Sequence, residues 1–258
     1  ILSNYQFFNL YMDFNLYETI LFYFLLFLIF YKKIKPLYFF LFLIIAIDLL
    51  FPFFDKKGYV YFFDIGQGDA SLIISPKRKD IILIDTGGIV NTIKEEEWAK
   101  RKEYYVSDNV ITFIKSKGIK KINLAILSHG DADHAKEIDN IYKEIKIDSI
   151  KINPGEIKYL EQKALDLIKN TNYTPKNLEL YFLNHKDYKD ENANSLLTFI
   201  QIYNTKMISF GDATKEAEED IIKKYNLQNI DIAKLSHHGS KTSSSKTYLQ
   251  TINPKLAI

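Results

Sequence analysis

Four side chains able to bind a metal ion stand within six residues in Ser128-His129-Gly130-Asp131-Ala132-Asp133-His134, directly after the apolar segment 123–127. Gly130 and Ala132 are small enough to let the backbone curl, so His129, Asp131, Asp133 and His134 can converge on one or two cations instead of alternating along a strand. Far downstream, Leu235-Ser236-His237-His238-Gly239-Ser240 follows another apolar run, and four of the chain's five histidines lie in these two places. A solvated loop explains one His-Asp cluster; it does not explain two, each at the end of a strand-like segment. Asp85 also ends such a segment, where Thr86 and Gly87 begin a turn, which suits a carboxylate that fixes a loop or a ligand better than it suits a ligand.

The elements that must hold these residues are legible as alternation and period. Strand-like runs rich in β-branched and aromatic residues fall at 59–65, 70–75, 81–85, 123–127, 149–152, 178–183, 195–203, 207–210 and 230–235. Helical periodicity marks 108–117, with Gly118 as a stop, then 135–145, 159–169 and 215–225. Hairpins come first and strand-helix alternation follows, an α/β order with no internal repeat of fixed period. Hydrophobic residues make up 47% of the 258, ample for a core. The 34 Lys and Arg nearly balance the 32 Asp and Glu, so no bulk field draws the chain to nucleic acid, and an anionic partner must be caught locally. Cysteine is absent, which excludes disulfides and zinc ribbons.

Residues 19–31 carry no charge, and 37–54 are apolar apart from Asp48 and Pro52; only Lys32-Lys33-Ile34-Lys35-Pro36 separates the runs. With Phe, Leu and Ile on every face, neither run offers water a polar side, so 1–55 reads as a membrane hairpin of two transmembrane helices that recruits flanking residues to span. The lysines of the tight loop place it in the cytoplasm, leaving residues 56–258 outside a multi-pass cell-membrane protein. A cleaved signal peptide is not expected, for want of a charged leader and a cleavage site. The chain begins at Ile1 and stops as a new strand starts near Leu256, as a piece of a longer protein would.

Five motifs in order carry a resemblance: Asp64-Ile65-Gly66-Gln67-Gly68-Asp69-Ala70, Leu83-Ile84-Asp85-Thr86-Gly87-Gly88, the Ser128 to His134 run, Ser209-Phe210-Gly211-Asp212-Ala213, and Ser236-His237-His238-Gly239-Ser240. Together they resemble the C-terminal metallo-β-lactamase-fold domain of the ComEC family, competence proteins that form the DNA-uptake channel. The resemblance implies a four-layer αββα sandwich from about residue 59 onward, a polytopic channel upstream of the hairpin, and degradation of the DNA strand that is not taken up. It implies a metal set of His129 and Asp131 on one ion, Asp133 and His134 on the other, Asp212 bridging, and His237 completing the second. Asp133 and His238 become the catalytic candidates, His238 as donor to the leaving oxygen or as support for His237. Gln67, Asp69, Asn194, Ser240, Lys241 and Ser243 become candidates for substrate contact, and Asp64 and Asp85 for support behind the ligands.

Two departures matter. The superfamily's second histidine is Asp131 here, and its histidine before the Asp212 strand has no counterpart in Glu191-Asn192-Ala193-Asn194-Ser195, so an asparagine amide or water would finish that site; His185 lies off register and reads as a loop residue. Three His and three Asp make an oxygen-rich set, which favours two Mn²⁺ ions, with Zn²⁺ the alternative. Such a pair would activate water against a phosphodiester of single-stranded DNA, with donors from Gly239, Ser240 and 242–245 on the phosphate and no nucleotide cofactor. Tyr104 and Tyr105 beside Lys100, Arg101 and Lys102 combine aromatic and basic groups as a single-strand groove would, but read more simply as a solvated face; Lys241 and Lys246 are better placed. A membrane-anchored hydrolase of small esters or lactones, and a non-catalytic DNA-guiding domain, are the competing readings.

Overall fold

The first element is stopped at both ends by its own sequence. In the computed structural model, which describes residues 13–66, 68–88, 106–184 and 186–258, helix α1 (Leu16–Lys32) opens on a capping box in which Asn15 and Glu18 exchange hydrogen bonds, and it closes on Lys33 in the left-handed conformation. Helix α2 (Leu37–Leu50) runs back along it. The sequence predicts that the second run extends to residue 54, but Pro52 has no N–H to continue the helix and Phe51–Phe53 is a 3-10 turn. At 1.5 Å per residue the two helices are roughly 25 and 21 Å long, against about 30 Å for a bilayer core. Among the described residues, no helix is long and apolar enough to cross a membrane. Neither helix has a core side: α1 buries only Leu25 and Ile29, and α2 buries nothing. Gln67, His185 and the run Lys100, Arg101, Lys102, Tyr104 and Tyr105 lie outside the described residues.

Beyond the hairpin, strands β1 (Tyr59–Phe62), β2 (Ser71–Ile74) and β3 (Ile81–Ile84) are antiparallel neighbours. Helix α3 (Ser107–Ser116) and the short strand β4 (Lys121–Ile122) lead to β5 (Leu124–Ile126), which joins β3 in parallel. Helices α4 (Ala132–Ala135) and α5 (Ile138–Glu144) follow, then β6 (Lys146–Ile147), paired with β4, and β7 (Ile150–Lys151), paired with β5. Helix α6 (Tyr159–Leu167) covers this half. The second half opens with the antiparallel strands β8 (Glu179–Phe182), β9 (Thr198–Ile202) and β10 (Thr205–Ser209). After helix α7 (Lys215–Lys224), β11 (Ile232–Lys234) pairs in parallel with β10; after α8 (Lys246–Ile252), β12 (Leu256–Ala257) pairs in parallel with β11. Each half thus builds a five-stranded sheet by the same scheme, antiparallel twice and then parallel twice. The duplication lies in topology, with no matching period in sequence.

The layers follow from strand alternation. In β2, β3 and β5, Leu72, Leu83 and Ala125 face α3, α5 and α6, with Val110, Ile114, Ile138, Ile141 and Ala164. Their neighbours Ile73, Ile82, Ile84, Leu124 and Ile126 turn the other way, onto Leu196, Ile200 and Met207 of the second sheet. The second sheet's outer face packs Ile208 and Phe210 on Ile221, Tyr248 and Ile252 of α7 and α8. The order is therefore αββα. Each fully buried Ile or Leu here contributes about 1.5–3 kcal/mol. Buried Asp80 ties the halves: its carboxylate accepts hydrogen bonds from the Tyr173 hydroxyl (2.6 Å), the Lys176 and Asn177 amides (both 2.7 Å) and the Ser75 hydroxyl (2.9 Å).

Candidate metal centre

The ligand run leaves the core at the end of β5 and turns into α4, and Asp85 at the end of neighbouring β3 sets that turn. Asp85, itself in left-handed conformation, accepts the Ser128 amide at 2.7 Å on one oxygen and meets His134 Nδ1 at 3.0 Å with the other. This fixes the ring and directs Nε2 to the opposite side. His129 is held likewise by the Ser128 hydroxyl at 3.0 Å from its Nδ1. Both Nε2 atoms are buried without a hydrogen-bond partner, as is Oδ1 of Asp212. Orphaned polar atoms at three converging positions are costly unless a further group satisfies them.

Asp212 follows β10 and divides the cluster. Its Oδ1 lies 3.2 Å from His134 Nε2 and 3.7 Å from His238 Nε2; its Oδ2 lies 3.7 Å from His129 Nε2 and 3.9 Å from His237 Nε2. Asp133 adds to the first group, 3.4 Å from His238 Nε2 and 4.0 Å from His134 Nε2. Asp131 adds to the second, 3.5 Å from His129 Nε2. Two half-sites result, Asp133/His134/His238 and His129/Asp131/His237, one on each oxygen of Asp212. The geometry corrects the expected partition: His238, and not His237, faces Asp133 and His134. The reason is backbone conformation, because His237 and His238 both have φ near +50° and the turn swings the two rings to opposite sides of Asp212. Such φ values cost non-glycine residues on the order of 1–2 kcal/mol each, a strain characteristic of functional sites.

Close packing makes room for the cluster at two glycines. Gly211 (φ +51°) lies against Ser128, where an added Cβ would come within 2.6 Å of that residue's Cβ, and Gly68 (φ +110°) against the Asp133 carbonyl, where the distance would be 2.3 Å. Gly68 brings Asp69 in: the Asp69 amide donates to the Asp133 carbonyl at 3.2 Å, and its carboxylate lies 2.6 Å from Lys234 Nζ and 3.4 Å from His238 Nδ1. Asp69, His134, Asp212 and His238 each offer one ligand atom within 4.8 Å of the others.

The charges are mutually dependent. Hydrogen bonding to Asp133 and Asp69 raises His238 to about 9. Burial raises Asp69, but His238 and Lys234 outweigh it and hold the carboxyl down at about 2. The close approach of the His129 ring, with Lys158 behind it, holds Asp131 far below the carboxylate range. Burial works against charge on His134, but Asp85 and Asp212 push its pKa well up. A donor set of imidazoles and ionised carboxylates with unsatisfied atoms facing one another suits a divalent cation.

Several expected substrate contacts take other roles. Both ends of the Asn194 amide are committed to the Tyr188 backbone, at 2.7 and 2.8 Å, because this side chain closes its own loop. Buried Ser243 donates to the carbonyls of Ser236 and Ser240, and the Ser244 and Ser245 amides donate to Glu218, so these groups are committed within the fold. The Ser240 hydroxyl meets that of Thr242 at 3.0 Å, and Lys241 is exposed, its carbonyl accepting from Lys215. Asp64 is exposed and among the described residues makes no hydrogen bond or ion pair; it stands behind no ligand, because β1 ends before it. Sequence reasoning missed the roles of four contributors, having placed Thr242 among the phosphate donors. Ser128 orients His129; Thr242 Oγ1 lies 3.2 Å from His237 Nδ1; Lys234 neutralises Asp69; and Lys158 bridges Asp131 and Glu191. Ser128, beside His129, and Thr242, just past the histidine pair, had a positional signal; Lys234 and Lys158 had none.

The family model described as the metallo-beta-lactamase superfamily matches residues 63–258. Among curated relatives, ComE operon protein 3 of Bacillus subtilis is 30% identical over 81% of this chain and 29% of its own length. Recombination protein 2 of Haemophilus influenzae is 29% identical over 76% of this chain and 23% of its own. The chain thus spans less than a third of these relatives. A solved structure, CmlA, a diiron beta-hydroxylase from Streptomyces venezuelae, aligns with a TM-score of 0.49 at 8% identity, covering 79% of this chain and 44% of that one. By the family model and the curated relatives, the chain belongs to the metallo-β-lactamase superfamily of metal-dependent hydrolases and, within it, to the ComEC family of competence proteins.

Proposed function

We propose that this domain is a metal-dependent phosphodiesterase that degrades the non-transported strand of DNA during uptake, tethered to the membrane by the α1–α2 hairpin. The observation that carries the reading is the convergence of unpartnered His129 Nε2, His134 Nε2 and Asp212 Oδ1 in a chain similar to competence proteins. Divalent ions at the two half-sites, Mn²⁺ in preference to Zn²⁺, would supply Lewis acidity at a phosphoryl oxygen and lower the pKa of an attacking water. Asp212, with one oxygen toward each half-site, sets their spacing. Asp133, whose carboxylate is held by His238, accepts the proton of the water as its oxygen bonds to phosphorus. The P–O bond to the leaving sugar oxygen breaks, and that oxygen takes a proton from solvent, which reaches the centre past the part-exposed His237 and His238 side chains. His238 is too firmly engaged by Asp69 and Asp133 to serve as that donor, and its place is in the ligand group.

The membrane reading rests on side chains with no soluble use, since Phe24, Phe27, Phe30, Phe39 and Phe42 are all more than half exposed. Helices of this length would span with flanking residues recruited or with local thinning. The lysines of the 32–36 loop would hold it in the cytoplasm and the metal centre outside. An upstream channel domain would deliver the strand. The discriminating experiment incubates the protein with single-stranded DNA, and separately with a lactone, in Mn²⁺ and in Zn²⁺. Cleavage of DNA in Mn²⁺, with little in Zn²⁺ and none of the lactone, is expected. Lactone turnover without DNA cleavage would replace this reading with a small-ester hydrolase.

A further inference from the structure

We infer that Lys158 is a resident cation of the His129/Asp131/His237 half-site, so that the two half-sites fill unequally, the Asp133/His134/His238 side first. The inference rests on the metal-centre reading above and concerns how that centre loads. Lys158 begins α6 and reaches across to two acids at once: its Nζ lies 2.6 Å from Oδ1 of Asp131 and 2.5 Å from Oε2 of Glu191. The two places where this chain departs from a histidine pattern, Asp131 and the segment that opens at Glu191, therefore end on the same ammonium. The other oxygen of Glu191 is buried without a partner, so the pocket around Lys158 has unspent acceptor capacity.

The opposite half-site is arranged differently. Its lysine, Lys234, pairs with Asp69 and leaves Asp133, which meets only imidazoles, free to take a cation. An ion entering the Asp131 side shares its carboxylate with a fixed positive charge, or must displace that charge from two acids. At the effective dielectric of a partly exposed site, one such charge weakens the second ion by roughly ten- to a hundredfold. Lys158 is a positioning residue here: it acts on metal loading through Asp131 and Glu191.

The test is calorimetric titration of the metal-free protein with Mn²⁺, without DNA, paired with electron paramagnetic resonance to separate isolated from spin-coupled Mn²⁺. The wild type should bind one equivalent tightly and a second at least about tenfold more weakly, with coupled signal only at high Mn²⁺. Lys158→Met should tighten the second equivalent by about tenfold or more and bring in the coupled signal at lower Mn²⁺, whereas Lys158→Arg should keep the wild-type inequality. Lys158→Gln keeps the helix start polar and serves if the Met variant folds poorly. Two equal sites in the wild type, or a second site unchanged by losing the lysine, would overturn the role of Lys158 alone. Absence of Mn²⁺ binding in every variant would overturn the metal-centre reading with it.

Discussion

Asp85→Asn is the sharpest probe of how the fold prepares the cluster, because it alters protonation with almost no change of shape. Asp85 is 1% exposed and uses both oxygens, accepting the Ser128 amide at 2.7 Å and facing His134 Nδ1 at 3.0 Å. A carboxylate there keeps a proton on Nδ1, so that Nε2, facing Asp212, is the nitrogen that sheds its proton to take a metal ion. Asparagine must place its NH₂ group against one of two partners. Turned to His134, it forces the proton onto Nε2 and blocks that atom as a ligand, which should cost about ten- to a hundredfold in Mn²⁺ affinity, or about 1.4–2.7 kcal/mol. Turned to Ser128, it sets two donors against each other in a buried site, which should cost about 1–3 kcal/mol of stability and leave affinity nearer to wild type. Calorimetric titration with Mn²⁺ and urea unfolding of the metal-free protein together measure both branches. A variant that matched wild type in both would refute the claim that Asp85 sets the tautomer of His134.

Asp80→Ala leaves four donors around Tyr173, Lys176, Asn177 and Ser75 unpaired, and should destabilise the protein by about 3–5 kcal/mol in urea unfolding, with Mn²⁺ affinity of the folded fraction unchanged. His238 in the metal-free protein is raised from 6.5 to about 9, so its contribution to stability is complete below 6.5 and is lost as pH climbs through about 9. Unfolding midpoints of metal-free protein should therefore fall across that window, while Mn²⁺ affinity rises across it because the ligand must shed its proton; a flat affinity would show that His238 is no ligand. Gly68→Ala would drive a Cβ to 2.3 Å from the Asp133 carbonyl and should weaken Mn²⁺ binding while leaving the circular-dichroism spectrum intact.

The sequence marks which segments meet more clearly than it marks how. Period and alternation locate β2, β3, β5 and β9 because each is long enough to alternate between two buried layers. The two-residue strands β4 and β6 are too short to carry any period, and α8 starts at the end of the polar run 241–247, which hides its onset. The duplicated sheet scheme is invisible because topology repeats without residue identity. At the site, ligand-type residues stand out by chemistry, yet the sides taken by His237 and His238 depend on two left-handed backbone angles that composition does not encode. Lys158 lies well down the chain at an ordinary helix start, and only its reach across the fold makes it part of the cluster. Ser243 and Asn194 look available in sequence because the carbonyls and amides that occupy them belong to their own loops.

The central claim is that Asp212 unites two half-sites into one hydrolytic centre acting on DNA, and cleavage of end-labelled single-stranded DNA in Mn²⁺ by wild type and Asp212→Ala tests it most directly. The account predicts cleavage by wild type and a loss on the order of a thousandfold in the variant, since removing the shared carboxylate leaves neither half-site positioned against the other. Equal cleavage by both proteins, or inertness of both with every divalent ion tried, would contradict it and leave a non-catalytic part in DNA uptake as the better account.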